Sequence, residues 1–232
     1  MSKILTFFLL FSLVSSNSYA KPFRDFKVGD LNVFVSVDIE QSVEKILLNY
    51  IEKSFSSLKS KISKNVFQKI KQTKIWISNE SNYPFRKGEK TSIVYHRSKE
   101  WLESNNLNTE YANSIHIINP RNFVERKIIE EMPNVLIHEL SHSLFVKLSA
   151  QNRNLIKMAY SSALKSSKYR NVTRNNYLTV KEAYALQNEL EYFGELSEAY
   201  FGKNDFFPYT SEQLYSYDRV GFNVVEYIWK SI

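Results

Sequence analysis

An α+β fold is predicted: a small sheet in the first half of the chain, a helical second half, and one buried helix between them. Three observations predict it. Before residue 119, four short segments have strand character, and Leu31-Asn32-Val33-Phe34-Val35-Ser36-Val37 alternates with period two. After residue 133 the apolar residues recur at helical spacing instead. The segment that opens this second half, with Val135, Leu136, Ile137, Leu140, Leu144, Phe145, Val146 and Leu148, is apolar round most of a helix's circumference, which marks an element to be buried.

Residues 1–20 are read as a leader and kept out of the fold. Lys3, the apolar run from Ile4 to Val14 and the small-residue exit Ser18-Tyr19-Ala20 are the three parts of a secretory signal. Cleavage after Ala20 and a secreted or periplasmic location are therefore expected, a retained anchor being the competing reading. The apolar run is too short to span a bilayer comfortably, and no later segment is long and apolar enough. Of the 232 residues, 212 then remain once the leader's twenty are removed. They are expected to form a single domain, with an α/β part over about 21–110 and a helical part over about 111–232.

The elements follow in order. Residues 31–37 form a half-buried strand, and Asp38 suits the N-cap of a helix over about 39–72. There Val43, Ile46, Leu47, Tyr50, Ile51, Phe55 and Leu58 recur at helical spacing, and a break is expected at 60–64. Residues 74–78, 92–96 and 113–118 are three more strands, the last closed by Asn119-Pro120. Pro133 suits the first turn of a helix running to about residue 149. A further helix covers 152–166, a polar, basic loop 167–178, and a last helix 189–200, ended by Gly202.

The formal net charge is +7, or +6 without Lys3. Its excess is spread through Lys-rich helical segments rather than gathered in a stripe with aromatics, so no nucleic-acid partner is expected. There is no cysteine. The fold therefore relies on its core and not on disulfides; thiol catalysis is excluded, and any transition-metal site must be built from His and carboxylate.

One motif carries chemistry. His138-Glu139-Leu140-Ser141-His142 sets two histidines four residues apart, on one face of a helix, where both can hold one metal ion with Glu139 beside them. His138 and His142 are then ligands, and Glu139 is the general base of a hydrolysis, taking a proton from the attacking water and passing it to the leaving amine. Two histidines and a glutamate in an otherwise apolar helix are costly to bury without partners, and a metal supplies them. No third histidine extends the motif, since positions 145 and 148 are Phe145 and Leu148. A carboxylate on another helix is expected to complete the site. Glu191 and Glu195 share one face at i, i+4, so one can ligate while the other accepts the free ring N–H of a ligand. A solvated acidic face is the competing reading.

At this point the chain resembles a known group. Asn188-Glu189-Leu190-Glu191-Tyr192-Phe193-Gly194-Glu195-Leu196-Ser197-Glu198-Ala199-Tyr200-Phe201-Gly202 is similar to the E-Y-F-A-E-L-S-E-A-Y-F-G stretch of zincin-fold metallopeptidases related to the catalytic domain of anthrax lethal factor. Val94-Tyr95-His96 with Trp101-Leu102, Ile115-His116-Ile117-Ile118-Asn119, and the run from Met132 to His142 follow that group's order, over about residues 92–218. The resemblance implies a zincin-like fold and a zinc-dependent endopeptidase acting on a peptide or protein substrate. His138, His142 and Glu191 would be zinc ligands, Glu139 the base, and Glu195 the acceptor of a ligand's ring N–H. It also implies a tyrosine near the metal, seven residues before the ligand glutamate; Tyr184 holds that position and could donate a hydrogen bond to the oxyanion of the tetrahedral intermediate.

The departures are Gly194 and Ser141, each in place of the usual Ala, and Ser143-Leu144-Phe145 in place of a more polar run. Gly194 is expected to weaken its helix slightly and to touch no ligand. His96 and His116 are read as packed or hydrogen-bonded strand residues and not as ligands. Residues 114–118 are expected to be the edge strand on which an extended substrate pairs. Two alternatives stay open: a zinc- or peptide-binding module of the same fold without catalysis, against which the intact Glu139 argues, and a zinc amide hydrolase with a non-peptide substrate.

Overall fold

The computed structural model describes residues 22–80, 83–84, 93–125, 128–175 and 178–232; the leader expected over residues 1–20, with its cleavage after Ala20, lies outside them. The first two strands, β1 (Phe23–Val28) and β2 (Leu31–Ser36), form an antiparallel hairpin. Gly29 sits in its turn at φ 57°, where a side chain would be strained. Sequence periodicity does not reveal β1, because Arg24, Asp25 and Lys27 are exposed and only Val28 is buried.

The long helix expected over 39–72 is two helices, α1 (Gln41–Lys59) and α2 (Lys64–Ile70). The break falls inside the expected 60–64, where Ser63 Oγ accepts from the Val66 amide at 3.1 Å and caps α2. Glu40 rather than Asp38 holds the N-cap position of α1, with no side-chain cap bond. Then come β3 (Lys74–Ile77), β4 (Ile93–His96), α3 (Lys99–Ser104), β5 (Ser114–Ile117), α4 (Pro120–Glu125), α5 (Ile128–Glu131) and α6 (Val135–Val146). The remainder is α7 (Ala150–Lys165), β6 (Arg170–Thr173), β7 (Thr179–Glu182), α8 (Glu189–Phe201), α9 (Ser211–Tyr217) and α10 (Arg219–Ser231), with 3₁₀ turns at Thr109–Tyr111 and Tyr184–Leu186.

The segment expected as a loop over 167–178 contains β6, which pairs with β7. Its buried residues, Tyr169 and Val172, are too few to show a period among polar neighbours. Among the described residues no helix is long and apolar enough to cross a membrane.

The five-stranded sheet has the order β1-β2-β3-β5-β4. It is mixed: β2 with β3 and β3 with β5 run parallel, while β1 with β2 and β4 with β5 run antiparallel. This corrects the expected edge strand. His116 of β5 pairs with Trp76 on one side and Val94 on the other, so β5 is internal and β4 is an outer strand.

Alternation along the strands sorts their side chains onto two faces. Val33, Val35, Ile75, Ile77, Ile93, Ile115 and Ile117 join one core with Leu47, Ile51 and Phe55 of α1 and Leu136, Leu140 and Leu144 of α6. That core runs on to Trp229 of α10 and ties the helical half to the sheet. On the opposite face Trp76 stacks on Phe34 at 4.3 Å and gathers Phe23, Leu102 and Tyr111. His116 and His96 belong to this face. Their rings meet at 3.2 Å, Nε2 of His96 to Nδ1 of His116, and Ser78 Oγ lies 2.8 Å from His116 Nε2.

Burial lowers the His96 pKa from its ordinary 6.5 to about 4, because a charged ring is disfavoured away from water. Between those values the unfolded chain binds a proton that the folded chain refuses. Stability is held above pH 6.5 and falls as the pH drops toward 4, by roughly 3 kcal/mol. Urea unfolding at pH 7 and pH 4 should show wild type losing about that much more than His96→Gln; equal losses would place the titration on another group.

Candidate metal centre

Burial dominates α6. Besides its apolar residues, His138, Glu139, Ser141, His142 and Ser143 are all less than a tenth exposed. The serines are satisfied locally: Ser141 Oγ donates to the His138 carbonyl at 2.6 Å, and Ser143 Oγ meets Thr73 Oγ1 at 2.5 Å and Lys147 Nζ at 3.1 Å. Within their own helix, His142 Nδ1 lies 3.4 Å from Glu139 Oε2, and the other contacts of the two imidazoles come from outside it. The i, i+4 spacing brings the imidazoles together edge-to-face with centroids 4.6 Å apart. His138, Glu139 and His142 each offer a donor atom within 4.8 Å of the others, a grouping that could hold a metal ion.

The start of α6 is fixed from outside. Asn134, at its N-cap, makes no capping bond; its amide instead donates to the carbonyls of Glu198 at 3.2 Å and Lys203 at 3.1 Å, tying α6 to the C-terminal end of α8. Tyr50 of α1 takes over the cap. Its hydroxyl accepts from the Leu136 amide at 3.2 Å and donates to the Pro133 carbonyl at 3.3 Å.

α8 brings the carboxylates. Asn188 caps it, Oδ1 accepting from the amides of Leu190 at 2.9 Å and Glu191 at 3.0 Å. A glutamate three residues after the cap commonly turns back to the cap residue; Glu191 reaches across to α6 instead. Its Oε2 stands 2.9 Å from His138 Nε2 and 3.3 Å from His142 Nε2. Burial alone would raise the Glu191 pKa, but the two imidazoles outweigh it and hold the carboxylate well below its usual range. For His138, burial opposes the charged form, yet bonds to Glu191 and Glu198 raise its pKa well above the ordinary value.

On the far side of the His138 ring, Nδ1 lies 2.8 Å from Glu198 Oε1 and 3.9 Å from Glu195 Oε1. Glu195 Oε2 accepts from Asn204 at 3.1 Å, and Asp205 is held by Arg174 at 2.8 Å. Burial raises the pKa of both Glu195 and Glu198. Spacing alone could not choose between them, because Glu195 at i+4 and Glu198 at i+7 from Glu191 share one helical face.

Gly194 departs from expectation most. A Cβ there would fall 2.6 Å from both Cε1 and Nε2 of His138, so the residue expected to touch no ligand lies directly against one of the candidate ligands. Tyr184, in its 3₁₀ turn, is half-buried with its ring centroid 6.2 Å from that of His138. A surface concavity of about 620 Å³ that includes Lys69, Lys147 and Asn152 contains none of these side chains.

No protein-family model matches this chain, and neither do curated proteins or solved structures.

The donors fit a metal on two counts. Glu139 Oε2 and His142 Nε2 are buried and make no hydrogen bond: the first lies 3.4 Å from His142 Nδ1 and the second 3.3 Å from Glu191 Oε2, both out of hydrogen-bond geometry. Leaving such atoms unpaired is costly, and a cation among them removes the cost. Two imidazoles and a carboxylate are also an ordinary ligand set for a catalytic metal.

Replacing Tyr50 by Phe strands the buried Leu136 amide at the start of α6. It should lower unfolding free energy by about 1–3 kcal/mol, read from urea midpoints at constant m-value. An unchanged midpoint would mean that Tyr50 does not cap this helix.

Proposed function

We propose that the chain is a secreted or periplasmic zinc-dependent endopeptidase of zincin-like fold. The observation that carries the reading is the convergence of His138 Nε2 and His142 Nε2 of the buried helix α6 with Glu191 Oε2 of α8, and Glu139 Oε2 3.4 Å from His142 Nδ1 beside them. The likeness of residues 92–218 to metallopeptidases related to the lethal factor catalytic domain supports it, as do the leader-like residues 1–20.

In this reading His138, His142 and Glu191 hold the zinc. The ion, when bound, supplies Lewis acidity toward a water molecule and the scissile carbonyl. Glu139, next in chain to one ligand and one turn from the other, takes the proton of the attacking water and delivers it to the leaving amine. Tyr184 donates its phenolic hydrogen to the oxyanion as the carbonyl carbon becomes tetrahedral. β4, one of the two outer strands of the sheet and a neighbour of α6, receives the main chain of an extended peptide. The low-dielectric surroundings of α6 strengthen each of these polar interactions.

Metal analysis of the protein beginning at Lys21 should return about one zinc per chain. In a peptide-library digest, Glu139→Gln should keep the metal and lose about 10²–10⁴-fold in rate. Equal cleavage by both proteins would sink the mechanism. Zinc content indifferent to Glu191→Ala would overturn the ligand set.

A further inference from the structure

We propose that Glu198 and Gly194 are positioning residues for His138: Glu198 fixes the ring's orientation from its Nδ1 side, and Gly194 opens the space in which the ring lies. The inference rests on the metal-peptidase reading above.

Glu191, Gly194 and Glu198 are spaced i, i+3 and i+7, so they form one stripe along α8. The His138 ring lies along that stripe. Glu191 Oε2 is 2.9 Å from Nε2 at one end and Glu198 Oε1 is 2.8 Å from Nδ1 at the other. Between the two, a Cβ on residue 194 would come within 2.6 Å of Cε1 and Nε2, closer than any van der Waals contact allows.

A mid-helix glycine is less favourable than alanine, and here the ring occupies the volume that alanine would fill. Glu198 is fully buried, and its other oxygen, Oε2, has no hydrogen-bond partner, so His138 is its hydrogen-bonded contact. A carboxylate bound to Nδ1–H leaves Nε2 with its lone pair for a metal and stops the ring from turning. Glu195, the neighbour favoured by i, i+4 spacing, is 3.9 Å from the ring nitrogen and accepts instead from Asn204.

The test is zinc affinity, measured by competition with a chromophoric chelator, on wild type, Glu198→Ala, Glu198→Gln, Glu195→Gln and Gly194→Ala. Visible spectra of the cobalt-substituted proteins report ligand geometry, and urea unfolding of the metal-free forms reports the fold. Glu198→Ala and Gly194→Ala should bind zinc about 10–100-fold more weakly and shift the cobalt bands. Glu198→Gln should recover part of the affinity, since its amide oxygen still accepts from Nδ1–H. Glu195→Gln should stay near wild type.

Wild-type affinity and cobalt spectrum in Glu198→Ala would overturn the inference and leave the ligand set standing. A larger loss in Glu195→Gln than in Glu198→Ala would also overturn it. If wild type binds no zinc, the peptidase reading fails and this inference fails with it. Should Gly194→Ala not fold, the Glu198 pair decides.

Discussion

The arrangement of this molecule depends on one constraint: α6 is buried on every side, yet carries two imidazoles and a carboxylate that need polar partners out of water. The sheet offers little here, because the face it turns to α6 is made mainly of Ile and Val side chains, with Tyr95 among them. For the imidazoles they come from α8, while Glu139 Oε2 lies 3.4 Å from His142 Nδ1 of its own helix. α8 turns Glu191 and Glu198 toward α6, and its Tyr192 and Ser197 side chains are committed elsewhere. Tyr192 donates to Asp218 at 2.6 Å, and Ser197 accepts from the Trp229 indole at 2.9 Å. With α8 so clamped against α10, the carboxylate stripe has one direction left, toward α6.

Both ends of the crossing are fixed by groups borrowed across the fold. Asn134 leaves its own helix uncapped in order to satisfy carbonyls at the end of α8, and Tyr50 supplies the missing cap from α1. A shift of either helix along its axis would break these bonds at once. The ring of His138 therefore sits between two elements with little freedom to slide, which suits a centre whose ligand atoms must meet within a few tenths of an ångström.

How much of this was legible in the sequence follows from physical range. The HExxH spacing, the alternation of β2, the break between α1 and α2 and the burial of α6 are local patterns, and local patterns survive in a one-dimensional reading. The strand β1 and the β6–β7 hairpin leave too many side chains in solvent to generate a period. The internal position of β5 is a matter of which strands pair, settled over the whole chain by the parallel ladder with β3. Glu191 was singled out by the resemblance, spacing having left it level with Glu195, and its carboxylate stands beside both imidazoles. The nearness of Glu198 to Nδ1 depends on where the imidazole lies across two helices. Gly194 looked like a weak helix former because its reason for being there is an atom of another helix.

The two-residue period of the sheet also divides the chain's four histidines. His138 and His142 stand on the α6 side; His96 and His116 stand on the other, joined to each other and to Ser78. Between them lies a layer in which Ile and Val side chains predominate, with Tyr95 among them. In any spectrum that resolves imidazoles, the pair behind the sheet thus reports on the aromatic cluster around Trp76 and Tyr111, on the other side of the sheet from α6.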